Sequence, residues 1–566
     1  MFNRESENLL SKLLLIGPAF VTLLVVVSGA TDPVNVSKLL AVGILSCALI
    51  VVPARKTYRF IWSEHKFLAI VLLGFLLTSL NSLIQSNSPL TQQLYGLYGR
   101  NNGFLLYLFL LLIFIATLSL GEIPSARNLV FSIVIAGGVN LIYCGWVLAF
   151  GDFLPWTNPY GNILGTFGNP NFIGAFFGMF SSVLISLAIA NFRNPKFLLV
   201  ISLTLVVTSI EIFESNAIQG RVLLALGFAI NGFFFIRSRF EGLAPLMFYS
   251  GFSAVIGILG LLGTLQIGPL TKILYKESVS LRGEYWAAGL KMAQTHLFSG
   301  VGFDSYGDWY RFSRRSTALI KPGPETVSNA SHNVIIDIFA FGGLPLLFFY
   351  LAIIGFVIVA IIKHVRSHRD FDFVFVSLTG AWLCFQLQSV ISINQVGLAV
   401  WGWVLGAAIV AYERITRSSP FSETIKEGKR SRKLGNKQFI SPNLRAGIAV
   451  ALGVFIAVPP FAADVKWRTA QESRDVAKIE AAISPSYFNP STTFKYISII
   501  GAFEDNNLPD LAHKYALAAV QFNPRSYESW RILTLIRNAT PDEKRNALNK
   551  MKELDPKNPN VPPVTQ

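Results

Sequence analysis

Apolar runs recur from residue 13 to residue 463, each broken by a short polar segment. Their lengths match what a helix needs to cross a bilayer, and they lack the strict alternation of a membrane strand. The pattern predicts about thirteen spanning helices: 13–30, 38–53, 67–84, 103–120, 128–150, 171–190, 197–213, 220–236, 247–267, 338–362, 373–391, 397–412 and 445–463. The expected fold class is an all-α polytopic membrane protein. Its parts are a transmembrane body over 1–412 and a basic linker over 413–444, followed by a last span at 445–463 and a soluble helical tail over 464–566.

The loops between spans alternate in charge. Arg55, Lys56, Arg59 and Lys66, then Arg127, Arg193 and Lys196, Arg237 and Arg239, and Lys363, Arg366 and Arg369 mark inside loops. Loops 31–37, 151–170 and 214–219 contain no Lys or Arg, and 85–102 contains only Arg100. The positive-inside rule then puts the N-terminus and 413–444 inside the cytoplasmic membrane and the tail outside. The first run, behind Arg4 and Lys12, reads as a signal anchor. The linker's Lys429-Arg430-Ser431-Arg432-Lys433 reads as an orientation-setting charge run, with contact to anionic lipid head groups as the functional alternative.

Composition agrees. The 566 residues are 52% hydrophobic and 14% charged, against about a quarter charged in soluble chains. The net charge of +16 follows from the inside loops, so no nucleic-acid partner is expected. Cys47, Cys144 and Cys384 sit in apolar runs, with no disulfide framework and no metal spacing.

One polar island, 268–331, interrupts the body on the outer side. It carries Lys272, Lys276, Arg282, Lys291, Arg311, Arg314, Arg315 and Lys321, against the charge bias of that face. Such placement points to an anionic ligand. An enzyme working there has neither ATP nor nucleotide-sugar and must use a donor already activated in lipid. His296 and His332 are the histidines near the outer face of the body. His332, where the island meets the next helix, is either a general base or a helix-entry residue. Arg221 opens a span, and either forks onto phosphate or snorkels. Arg282 opens Arg282-Gly283-Glu284-Tyr285-Trp286, a predicted amphipathic helix with Trp286, Leu290, Ala293 and Leu297 on one face. Its alternative is a contact with Glu284. Gly165-Thr166-Phe167-Gly168-Asn169-Pro170-Asn171-Phe172 reads as a tight connector, although two Asn amides also suit sugar hydroxyls. Asp370-Phe371-Asp372 has the D-x-D spacing of metal-dependent transferases but reads as a cytoplasmic helix start. No metal site and no cofactor are expected.

In the tail, Asn489-Pro490, Asn523-Pro524 and Asp555-Pro556 recur at intervals of about 34 residues. Helix pairs are predicted between them, such as Asp510 to Gln521 and Tyr527 to Ile536, with Ala512, Tyr515, Ala516 and Ala519 as a packing stripe. The period resembles tetratricopeptide repeats, a stack that buries mainly against itself and suits a protein partner.

Gly165 to Asn171, Arg221, Arg282 to Trp286, Gly300-Val301-Gly302 and His332-Asn333 occur here in an order and placement that resemble the O-antigen ligase and polymerase family of membrane glycosyltransferases. The resemblance covers roughly residues 10–412. It implies transfer of a glycan from an undecaprenyl-pyrophosphate donor to an acceptor hydroxyl on a glycan, lipid or protein, without metal or nucleotide. It implies that Arg221 and Arg282 bind the pyrophosphate and His332 activates or positions the hydroxyl, with Arg100, Asn169, Asn171, Trp286 and Asn333 binding substrate. Gly220 replaces the serine that often precedes this arginine in the family. The tail resembles the branch with C-terminal tetratricopeptide repeats. Readings within the class are a ligase, a polymerase or a protein O-oligosaccharyltransferase. A lipid-linked sugar flippase is the alternative of another class, and a non-catalytic scaffold is a third.

Overall fold

A computed structural model of the protein describes residues 4–264, 267–269, 271–274, 277–418 and 441–561. Lys276 and linker residues 419–440, with the basic run Lys429–Lys433, lie outside the described residues.

The chain is an all-α, multi-spanning membrane protein, and a helix stands at every predicted span. Among the described residues, 10 helices are long and apolar enough to cross a membrane, or 11 if Asn35–Val51 and Arg55–Glu64, bent by 90°, count as one span. Three expected spans fall short of that standard as single helices. Arg4–Leu23 begins with Arg4, Glu5 and Glu7, and Asn35–Val51 and Phe104–Thr117 have 17 and 14 residues. Phe104–Thr117 is enclosed by other helices, with Leu106, Leu110 and Ile113 fully buried. Val396–Ser418 and Pro170–Ala190 are likewise central, whereas Ala244–Thr264 is peripheral and leaves Met247, Phe248 and Phe252 exposed.

Two backbone approaches need glycine. Asn35–Val51 meets Pro442–Ser473 so closely that a Cβ on Gly453 would lie 2.8 Å from the Gly43 carbonyl oxygen, the small-residue contact that lets membrane helices touch. Val334–Ser367 kinks at Gly342 and Gly343. Gly300-Val301-Gly302 lies along that kink: the Val301 and Gly302 amides donate to the carbonyls of Ala340 and Phe341 at 2.8 and 3.0 Å. A Cβ on Gly300, which has φ +68°, would collide with the Phe341 carbonyl. This segment is a backbone joint that fixes the middle of the island to the next spanning helix.

Pro442–Ser473 is one helix of 32 residues that runs past the expected end at 463 into the tail. Beyond it lie Val476–Ile483, Thr493–Asp505, Pro509–Phe522, Tyr527–Leu535 and Pro541–Leu554. Ala512, Tyr515, Ala516 and Ala519 are buried among them, as the spacing predicted. Asp372 caps Phe373–Val390 by accepting from the Val374 and Phe375 amides, the helix-start role expected of it.

The tail also packs on the polar island. Arg311 and Arg314, at the end of helix Tyr306–Ser313, reach Asp555 at 3.2 and 2.5 Å, and Arg311 reaches Glu528 at 2.9 Å. Asn523 donates to Asp308 at 3.2 Å, and the Arg525 guanidinium stacks on Trp309 at 3.3 Å. The expectation of a stack closed mainly on itself overlooked this second interface.

Candidate functional site

A polar cavity of about 900 Å³ opens where the loops at one end of the helix bundle converge. Arg100, Arg282 and His332 line it together with Asn169, Asn171, Trp156, Tyr160 and Tyr285. Arg221, Trp286 and Asn333 are not among its lining residues.

Each lining side chain is placed by a distinct local device. Arg100 sits in a turn between Leu90–Tyr95 and Phe104–Thr117. Asp304 holds that turn from the island, its Oδ2 accepting the Leu97 and Asn102 amides at 2.6 and 3.3 Å. Burial pushes the Asp304 carboxyl up from its usual range, and Arg100 opposes that shift. Arg282 is the first residue of Arg282–Thr295. Ala288, Gly289, Met292 and Ala293 of this helix are buried, and Gly289 lies against Ile336 and Tyr306. Leu290 and Leu297 of the predicted apolar face remain exposed. Glu284 turns away from Arg282, taking Arg315 at 3.9 Å and the Thr317 hydroxyl at 3.0 Å.

His332 has φ +58°, a left-handed backbone that non-glycine residues seldom adopt. Its neighbours hold it there. The Ser331 amide donates to Asp337 Oδ1 at 2.7 Å, and the Ser331 hydroxyl donates to the Asn333 carbonyl at 2.9 Å. Asn333 Oδ1 accepts the Ile335 and Ile336 amides, capping Val334–Ser367. The Tyr285 ring lies 5.7 Å from the imidazole. Burial, then Arg100 and Arg282, push His332 down to about 3. The imidazole is therefore neutral across the physiological range, and the cavity's positive charge resides on arginines, Arg100 and Arg282 among them. Burial also lowers the pKa of each of these guanidinium groups, which increases the incentive to bind an anion.

The turn Gly165–Phe172 forms the opposite wall. Asn169 caps Pro170–Ala190 through the Asn171 amide and donates Nδ2 to the Tyr160 hydroxyl at 3.0 Å. Gln219 donates to the Asn171 carbonyl. Thr166 donates to the Thr22 carbonyl at 2.8 Å, tying the turn to the first helix. Arg221, two residues past Gln219, lies over the Phe213 ring at 4.9 Å. The Trp286 indole nitrogen is buried without a hydrogen-bond partner.

Sequence reasoning missed several contributors. Arg468 lines the cavity and donates to the Val27 and Ala30 carbonyls at 2.8 and 2.6 Å. Lys38 is fully buried and donates to the Val21, Thr22 and Leu24 carbonyls, holding the C-terminal end of the first helix. The island's basic residues also divide by role. Arg282 faces the cavity, whereas Arg311 and Arg314 pair with the tail and Arg315 with Glu284. Among the described residues no cluster of three His, Cys, Asp or Glu could hold a metal ion.

A comparison with models of known protein families finds no match, and a search of curated proteins finds none either.

Proposed function

We propose that this protein is a metal-independent glycosyltransferase of the O-antigen ligase type, with about thirteen spans and a tetratricopeptide-like tail outside the cytoplasmic membrane. The observation that supports this reading is the convergence of Arg100, Arg282 and His332 on one polar cavity. The donor is a lipid-pyrophosphate-linked glycan. The acceptor hydroxyl attacks its anomeric carbon, the bond from that carbon to the pyrophosphate oxygen breaks, and the hydroxyl proton passes to His332. Pyrophosphate leaves without a protonating acid, since its charge spreads over several oxygens that Arg100 and Arg282 face. Trp156, Tyr160, Asn169 and Asn171 offer rings and amides to sugar.

Donor binding also tunes the base. The two guanidinium groups oppose protonation of His332. Anionic pyrophosphate offsets them, so the imidazole becomes a competent base only once the donor is seated. The test is transfer by purified protein from a lipid-pyrophosphate-linked glycan to a crude acceptor fraction. Envelope glycans of a deletion strain then separate the versions, since unligated lipid-linked polymer means a ligase and single repeat units mean a polymerase. No transfer, with wild-type envelope glycans in the deletion strain, would refute the proposal.

A further inference from the structure

We infer that the C-terminal helical region is a brace for the candidate site, and that Asp555 is a positioning residue for His332, acting through helix Tyr306–Ser313 and Tyr285. The inference rests on the reading of His332 as the site's base.

A continuous series of contacts carries it. Asp555 accepts from Arg314 at 2.5 Å and from Arg311 at 3.2 Å, and all three side chains are almost fully withdrawn from solvent. Lys557 donates to the Arg314 carbonyl at 2.5 Å, gripping the same point from the backbone side. On the next helical turn back, Asp308 takes Asn523 and Trp309 takes Arg525. The short helix Tyr306–Ser313 is thus fastened to the tail along one side. Its other side holds Tyr285: the Tyr306 hydroxyl donates to the Tyr285 carbonyl at 2.5 Å, and the Tyr310 ring lies 5.9 Å from the Tyr285 ring. Tyr285 in turn lies against His332 and lines the cavity.

A second arm reaches another part of the lining, at Thr31 and Asp32. Asp464 Oδ2 accepts the Thr31 and Asp32 amides at 2.7 and 2.9 Å, and its Oδ1 accepts the Tyr98 hydroxyl at 2.8 Å. Asp464 and Arg468 lie on the helix that continues into the tail. Two walls of one cavity are therefore held by the same C-terminal element. The tail face that carries Asp555, Glu528 and Arg525 is occupied by the chain itself and is closed to a protein partner.

The experiment uses the full chain in lipid nanodiscs. Diethyl pyrocarbonate is added, and carbethoxylation of His332 is followed by mass spectrometry, with the distant His65 as internal reference. Asp555→Asn keeps the shape and removes the charge. It should raise His332 labelling at least about threefold by loosening Tyr285, with His65 unchanged. The conservative Asp555→Glu should restore part of the protection. Unchanged labelling in a folded Asp555→Asn protein overturns the inference. If that variant does not fold, Arg525→Ala removes the cover on Trp309 and the charge beside Asp308 while sparing the Asp555 pair, and should give a smaller rise, and its absence overturns the inference equally. Labelling that responds in a protein with no transfer activity would sink the glycosyltransferase reading and leave the brace standing. Active transfer with unresponsive labelling would do the reverse.

Discussion

The guanidinium of Arg314 and the carboxylate of Asp555 meet at 2.5 Å, and neither side chain reaches solvent. Removing one member of such a pair strands a buried charge, at a cost of about 3–5 kcal/mol. Asp555→Ala should therefore loosen the tail from the island and expose residues 306–325 to limited proteolysis. Replacing Asp555, Arg311 and Arg314 together with apolar residues of similar volume should recover much of the loss. Equal protease resistance of wild-type and Asp555→Ala would refute this.

His332 gives a pH prediction with a definite sign. Its folded pKa is pushed down to about 3, whereas an unfolded histidine titrates near about 6.5. Between those values the unfolded chain binds more protons, so stability falls as pH drops below the unfolded value. Thermal unfolding of the wild type should weaken more steeply from pH 7 to pH 5 than that of His332→Asn. Identical slopes would show that His332 is solvated. In catalysis, His332→Ala should lose about 10²-fold or more in turnover while sparing donor binding.

The three arginines should separate. Arg100 and Arg282 line the cavity, and Arg221 lies over Phe213 outside its lining. Arg100→Ala and Arg282→Ala should each weaken donor binding by about tenfold or more, and Arg282→Lys should also fail because the fork is lost. Arg221→Ala should cost donor affinity less. Titration with lipid-pyrophosphate-linked glycan checks the order, and a dominant Arg221 effect would move the pyrophosphate site toward that helix.

The positive-inside rule, applied to the alternation of basic loops, predicts that residues 464–566 lie outside the cytoplasmic membrane. A reporter that fluoresces only in the cytoplasm, fused after Gln566, should stay dark. Fluorescence would place the tail, and the island docked on it, on the inner side.

The helices were legible because lipid demands long apolar runs, and such runs are written locally. Two kinds of span blurred the count: Phe104–Thr117, which neighbouring helices rather than lipid enclose, and Arg4–Leu23, whose first turn is charged. Arg100 and Arg282 could be singled out because basic residues run against the charge bias of their loops, whereas His332, Asn169 and Asn171 became candidates only through the order of motifs that carries the family resemblance. Asp304 and Arg468 could not, since they act on backbone groups distant in sequence, as in the 207-residue separation between Leu97 and Asp304. Arg311 and Arg314 misled for the same reason. Their counter-charge lies far downstream, so a docking pair read as a ligand site.

That distance has a consequence for biogenesis. Arg314 is synthesised 241 residues before Asp555. Until the ribosome has passed Asp555, the island lacks the partner that holds it, and His332 lacks its settled surroundings. A nonsense mutation anywhere upstream of Asp555, even one that spares every lining residue, therefore yields a chain whose island remains undocked. Translation as far as Asp555 is therefore itself a condition of assembling the cavity around His332.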